Sequence, residues 1–271
     1  MPLRPEINEI LRNASFDCIA QLCQMHINGG LINALVKRWR PESHIFHLPC
    51  GECTITLEDV AMLLGLRCNG IAVTGSTNPN TLALQNMCEQ LLGSRPKSND
   101  IEGSKIRLKW ITKQLGWLTA NSDIRIAQHA RGYVLSLLGH ILMPNKSNSP
   151  VHGKFLQLLV NVHEIRMYSW GSSCLALLYR GLDRGSRHDA KEIYGCIILL
   201  QFMWRPYEDE AIDVIVPHDL KGERLLWLTV SPLICFEVVE WHATDCVMRQ
   251  YNHSEHTVHC EEALVVCGQN Y

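Results

Sequence analysis

The stretch RWRPESHIFHLPCGECTITLEDVAMLLGL, residues 38–66, constrains the fold more than any other part of the chain, because it spells out a complete helix, hairpin and helix in succession. Arg38-Trp39-Arg40-Pro41 ends a helix, since the Pro41 ring drives Arg40 out of the helical region. His44-Ile45-Phe46-His47-Leu48 alternates polar and apolar residues with the period of a half-buried strand. Pro49-Cys50-Gly51-Glu52 supplies a turn, proline fixing one φ and glycine accepting a positive one, and Cys53-Thr54-Ile55 returns as the second strand. Thr56 then N-caps a helix with Asp59 at N3 in a variant of the capping box. Ile55 and Val60 take the staple positions, and Gly65 ends the helix.

Elsewhere the period is mostly helical. Ala127, Ala130, Val134, Leu137, Leu138 and Ile141 keep one apolar face for about four turns until Pro144 closes it. Further stripes run through Leu84, Cys88, Leu91 and Leu92 before Gly93, and through Ile106, Trp110, Ile111, Leu115 and Leu118. Two more follow through Leu175, Leu178, Tyr179 and Leu182, and through Ile193, Ile197, Leu200 and Trp204. The expected fold is mainly α, a helical array with a small β-hairpin near residues 44–55 and a second hairpin near 211–230, on either side of Asp219-Leu220-Lys221-Gly222. Residues 232–242 read as a buried helix, with a strand as the alternative. Residues 15–251 are expected to form one cooperative domain, with 232–241 packed against the helices of 127–142 and 171–182.

The 38–66 block resembles the plant mobile domain, the aminotransferase-like family of MAINTENANCE OF MERISTEMS-like proteins and serine/threonine-protein phosphatase 7 long-form homologues. Further motifs carry the resemblance in order: His129-Ala130-Arg131-Gly132-Tyr133, Met143-Pro144-Asn145-Lys146-Ser147, Tyr168-Ser169-Trp170-Gly171-Ser172, Ile212-Asp213-Val214-Ile215-Val216-Pro217, and residues 232–242. Residues 1–251 are assigned to this domain and 252–271 to a tail outside the family pattern, expected to be disordered. The resemblance also implies a deletion, because relatives separate the Leu-Leu-Gln helix from a later Trp-Arg-Pro-Tyr motif whereas here Trp204 runs directly into Arg205-Pro206-Tyr207. The family motifs single out Trp39, Arg40, Pro41, Cys50, Gly51, Trp170, Glu240, Trp241 and His242 as structural positions, with the three tryptophan rings expected in the core.

Composition narrows the functional classes. With 25 Lys+Arg against 27 Asp+Glu, the overall field draws the chain neither to nucleic acid nor to anionic membrane. Twelve cysteines would suit a disulfide framework in a secreted chain. The opening residues 1–8 lack the apolar core of a signal peptide, and Cys174, Cys196 and Cys235 sit among Leu, Ile and Val, where a thiol acts as a small buried hydrophobe. The chain is therefore expected to be soluble, intracellular and reduced.

Four constellations are candidates for chemistry. His47, Cys50 and Cys53 have metal-ligand spacing, but a structural zinc needs a fourth ligand and hairpin alternation turns His47 away from the Phe46 face, so the structural turn is preferred. His253, His256, His259 and Cys260 offer ligands in the tail, read as adventitious. Lys105, Arg107, Lys109 and Lys113, beside Trp110 and Trp117, form a basic concentration able to touch phosphates, with a solvated helix face as the plainer reading. Glu237, Glu240, Trp241 and His242 place two carboxylates and an imidazole inside an apolar run. On a helix Glu237 and Trp241 would share a face, and Glu240 would meet Arg131 or Arg180 in a buried ion pair, preferred over a catalytic role.

No phosphate-binding glycine loop, nucleophile elbow or dinucleotide fingerprint is present, and Leu182-Asp183-Arg184-Gly185 lacks the companion motifs of a metallophosphatase. No catalytic residue, metal or cofactor is assigned. The resemblance implies a non-enzymatic nuclear factor in meristem maintenance, genome stability and transposable-element silencing. It would act as a protein-interaction module, its partner a phosphatase-7-like protein or another plant mobile domain protein. The alternatives are a nucleic-acid-binding, transposon-derived accessory protein or, behind it, a metal-binding or hydrolytic enzyme.

Overall fold

The computed structural model describes residues 4–22, 27–49, 51–77, 79–115, 122–144, 150–190, 192–201 and 229–242. Along these residues run α1 (Pro5–Asn13), α2 (Asp17–Gln21), α3 (Gly29–Val36), β1 (Trp39–Arg40), β2 (Ile45–Leu48), β3 (Gly51–Cys53), α4 (Leu57–Leu64) and α5 (Thr81–Leu92). Then come β4 (Ile101–Glu102), β5 (Lys105–Arg107), α6 (Leu108–Leu115), α7 (Asp123–Leu137), β6 (Pro150–His152), α8 (Trp170–Gly185), β7 (Pro232–Cys235) and β8 (Val238–Trp241). The fold is mainly α with small antiparallel sheets, as its sequence predicts. The described elements fall into two compact units. One is built from the described residues within 1–23 and 70–169, the other from those within 24–69 and 170–242.

In the first unit α1, α5 and α6 pack on α7. Asn80 and Ser122 cap α5 and α7 by accepting from Ala83 N–H and Arg125 N–H, each satisfying an N–H that has no partner within its helix. The α7 stripe continues into a π-helical turn, Leu138–Leu142. Gly139 lies there because a Cβ would stand 2.6 Å from Leu108 and 2.7 Å from Val151. Ile106, predicted to start the α6 stripe, belongs to β5, where it pairs with Ile101 and Val151 in a sheet of β4, β5 and β6. Arg131 commits its guanidinium to main-chain carbonyls, donating to Leu159 and Val160, each at 2.8 Å, and to Leu91 at 3.3 Å. It is thus a clasp within this unit, not the partner of Glu240.

The second unit follows the 38–66 grammar. Thr56 and Asp59 form the full capping box of α4, and Gly65 ends it in the left-handed conformation at φ 67°. The predicted hairpin is present as β2 and β3, with Phe46 opposite Cys53 and His47 opposite Glu52, and β1 adds a third strand. Trp39 and Trp170 are each 1% exposed. The expected helix through Ile193, Ile197 and Leu200 is reduced to a 3₁₀ turn, Ile197–Leu200. Gly195 explains this: at φ 97° it breaks the helical path, and a Cβ there would lie 2.8 Å from Leu178 Cα of α8.

The main correction concerns residues 232–242, which form the β7–β8 hairpin, not a helix. Pro232 pairs with Trp241 and Cys235 with Val238, closed by the two-residue turn Phe236-Glu237. Phe236 takes φ 53°, the positive angle that tight hairpin turns need. The hairpin lies on α8. Strand parity, not helical spacing, now sorts the side chains. Leu233, Cys235, Glu240 and His242 are buried, whereas Trp241 is 59% exposed, so the expected burial of its ring is overturned. The hairpin expected at 211–230, apart from its last two residues, and the tail 252–271 lie outside the described residues.

Truncating a fully buried tryptophan costs about 3–5 kcal/mol. Trp39→Ala and Trp170→Ala are expected to lose that much in urea unfolding, and Trp241→Ala less than about 1 kcal/mol, which equilibrium denaturation followed by circular dichroism will measure.

Candidate functional site

The second unit gathers its polar side chains around one face of α8. Asp183 neighbours both Arg180 and Tyr179 on the helix surface, because they lie three and four residues before it. Glu240 arrives from β8 as its inward-facing residue, and His44 from the four-residue loop linking β1 to β2. His44 adopts φ 53°, a region that imidazole side chains enter more readily than most. Its carbonyl accepts the Thr54 hydroxyl, and its ring stacks on Trp39 at 5.8 Å and meets Tyr179 at 4.6 Å.

The geometry is closely interlocked. The Trp39 indole N–H donates to Asp183 Oδ1 at 2.8 Å, and Arg180 Nε lies 2.5 Å from Glu240 Oε1. The Glu240 side chain is 10% exposed and that of Arg180 36%, so the buried carboxylate depends on the guanidinium, which itself also meets solvent. His44 Nε2 lies 3.5 Å from Asp183 Oδ2 and 3.7 Å from Glu240 Oε2. His44 Nδ1 reaches the Trp241 carbonyl at 3.4 Å. A carbonyl only accepts, so Nδ1 carries a proton. Burial alone would lower the His44 pKa, but the hydrogen bond and charge of Asp183, the Trp241 carbonyl and the charge of Glu240 outweigh it and raise the value above 6.5. Among the described residues, His44, Asp183 and Glu240 are the group whose ligand atoms converge as a metal site would require, all within 4.8 Å.

Two residues on, His242 has a different role. Its Nε2 accepts the Leu57 N–H at the start of α4, 3.2 Å away, and its Nδ1 donates to the Thr229 carbonyl at 3.3 Å. Wholly enclosed, it is held neutral, its pKa lowered to about 4 chiefly by burial.

The other sequence candidates separate. His47 and Cys53 stand on opposite faces of their sheet, His47 paired with Glu52 at 3.4 Å and Cys53 buried opposite Phe46, so period-2 alternation prevents a shared metal. Cys50 lies outside the described residues, as do His253, His256, His259 and Cys260. Arg40 is exposed on β1, Pro41 opens the loop carrying His44, and Gly51 begins β3 at φ 139°. Arg107, Lys109 and Lys113 are exposed and Lys105 is half-buried, cross-strand from Glu102. Glu237 sits exposed in the hairpin turn. The Ser169 and Ser172 hydroxyls donate to the carbonyls of Ile71 and Cys68. The seven described cysteines are free thiols. The Cys174 thiol is pushed well up by its hydrogen bond with Cys196, by burial and by the nearby Cys68 and Cys235, which leaves it protonated and inert.

The pairing of Glu240 with Arg180 was legible as an expectation, whereas His44 and Asp183 were missed. They are 139 positions apart, and neither stands in a motif that points to the other. The useful signal was parity: reading 232–242 with period 2 puts Glu240 and His242 on one face and Trp241 on the other.

Residues 16–203 match the plant mobile domain, and the chain belongs to that family. It is 35% identical to the Serine/threonine-protein phosphatase 7 long form homolog of Arabidopsis thaliana over 92% of this chain and 23% of that protein. It is 28% identical to Protein MAIN-LIKE 1 of the same plant, over 92% of this chain and 59% of the relative. To Protein MAINTENANCE OF MERISTEMS, also from Arabidopsis thaliana, it is 28% identical, over 89% of this chain and 61% of the relative. The chain therefore spans less than two thirds of these relatives. The first alignment runs over 317 positions, more than the 271 residues here, so that relative carries residues this chain lacks. No solved structure matches.

The neutral state of His242 fixes a pH dependence. Its folded pKa lies below the unfolded value of 6.5, so the unfolded chain binds the extra proton first. Its contribution is fully present above pH 6.5 and is lost as pH falls from 6.5 through about 4. The loss is of the order of 3 kcal/mol. Urea unfolding at stepped pH will show this decline, which His242→Gln is expected to flatten.

Proposed function

We propose that this chain is a non-enzymatic protein-interaction module of the plant nucleus, serving meristem maintenance and transposable-element silencing through a protein partner. The observation that carries the reading is the outer face of the β7–β8 hairpin. Pro232 stands across from Trp241 and Ile234 across from Val239, giving a continuous apolar surface on which Trp241 is 59% and Val239 48% exposed. Exposed apolar faces of this kind mark binding surfaces, and tryptophan is the residue type most enriched where binding energy concentrates. The inner face of the same hairpin is committed to packing, through Glu240 against Arg180 and His242 against α4.

A hydrolase would need a base or nucleophile free to act. Here His242 is neutral, enclosed and hydrogen-bonded on both nitrogens, and the Glu240 carboxylate is tied to Arg180. The partner's class is the one the family resemblance implies: a phosphatase-7-like protein or another plant mobile domain protein. The nucleic-acid reading rests on exposed Arg107, Lys109 and Lys113 and predicts salt-sensitive association.

Affinity capture from plant nuclei will separate these readings. Trp241→Ser is expected to weaken partner capture about thirtyfold, equivalent to about 2 kcal/mol, without loss of thermal stability. Capture that survives Trp241→Ser but is lost with nuclease, or with Lys109→Glu and Lys113→Glu together, would overturn the protein-interaction reading in favour of nucleic acid.

A further inference from the structure

We propose that His44, Asp183 and Glu240 form a binding site for one divalent transition-metal cation of the zinc type, independent of the interaction face. The argument starts from how each side chain spends its two heteroatoms. Asp183 Oδ1 receives the Trp39 indole N–H, leaving Oδ2. Glu240 Oε1 is paired with Arg180, leaving Oε2. His44 Nδ1–H is directed at the Trp241 carbonyl, leaving Nε2. Each residue is thus oriented by a partner on its far atom, and the three remaining atoms face one another.

This is the organisation of a metal centre, in which outer partners fix the tautomer of the imidazole and the rotation of the carboxylates. With Nδ1–H on the Trp241 carbonyl, Nε2 faces two carboxylate oxygens, and what joins the three is a cation: a proton on Nε2, which Asp183 accepts, or a metal ion that takes its place. Three acceptors in one place repel unless a cation lies among them.

Distance supports a metal in that role. Ligands bound to tetrahedral zinc at about 2.0–2.1 Å stand about 3.4 Å from one another. The separations here are 3.5 Å from Nε2 to Asp183 Oδ2 and 3.7 Å to Glu240 Oε2, and all three ligand atoms lie within 4.8 Å of one another, so both carboxylates stand within reach of an ion bound to the imidazole. One imidazole and two carboxylates make a ligand set suited to zinc and its neighbours in the first transition series. The side chains of His44, Asp183 and Glu240 are 13%, 21% and 10% exposed. That leaves an approach for the ion. Arg180 remains on the opposite oxygen of Glu240, so the carboxylate would bridge guanidinium and metal, while the two carboxylates together balance the charge of a divalent ion. The bound ion would fasten the β1–β2 loop and β8 to α8.

The test uses the full chain, stripped with a chelator and titrated with zinc chloride by calorimetry. Wild-type protein is expected to bind one equivalent that Asp183→Asn and Glu240→Gln weaken at least tenfold. Asparagine at 183 keeps the oxygen that accepts from Trp39, and circular dichroism checks that both variants fold. Replacing His253, His256 and His259 with asparagine is expected to leave this equivalent in place, separating it from any ion held by the tail. Cobalt(II) loaded in place of zinc should give visible d–d bands of a nitrogen and oxygen site without a thiolate charge-transfer band. A wild-type chain that takes up no zinc, an equivalent that survives Asp183→Asn and Glu240→Gln, or a strong thiolate band would each overturn the proposal. In the first case a proton on His44 is the cation that joins the two carboxylates.

Discussion

Glu240 is the residue on which the second unit's arrangement turns, because a carboxylate enclosed in a protein interior has to be met by positive charge or by donors. Its position on β8 sets the register of the hairpin on α8, since Arg180 can reach it only if the inward residues of the strand lie over one helix face. The same face presents Asp183 one turn further along, where it takes the Trp39 indole N–H. Trp39 in turn fills the space under the β1–β2 loop and stacks with His44, which returns to the two carboxylates. The network closes on itself, so each residue is held from two sides.

The short strand β8 illustrates how one backbone period divides two tasks. Glu240 and His242 point inward and meet the needs of buried groups: one pairs with a guanidinium, the other accepts an N–H that α4 cannot satisfy within its own first turn. Val239 and Trp241 point outward and leave an apolar face exposed. A polar cluster in an apolar run can thus be core, and a tryptophan in a family motif can be surface. Neither hydropathy nor motif membership distinguishes these cases, whereas strand parity does.

The helix grammar of residues 38–66 was legible because capping and turn signals act over three or four residues. Thr56, Asp59 and Gly65 adopt the roles their chemistry dictates whatever surrounds them. The stripes of α5, α7 and α8 were equally readable, since each repeats over several turns. Short apolar runs were not. Residues 232–242 are compatible with helix or strand by composition, and the choice fell to Phe236 at positive φ; the helix expected through Ile193 and Ile197 is cut short where Gly195 meets Leu178.

The sequence by itself determined the family, the mainly α character, the first hairpin, the caps and the absence of a recognisable catalytic motif, because all of these are written in neighbouring residues. It also offered Arg180 as a partner for Glu240. Only the tertiary structure decided that His44, Asp183 and Glu240 share one small volume, and that Arg131 serves elsewhere. Side chains distant in sequence meet through the packing of a loop, a helix and a strand, and their convergence depends on angles and separations that no local pattern records.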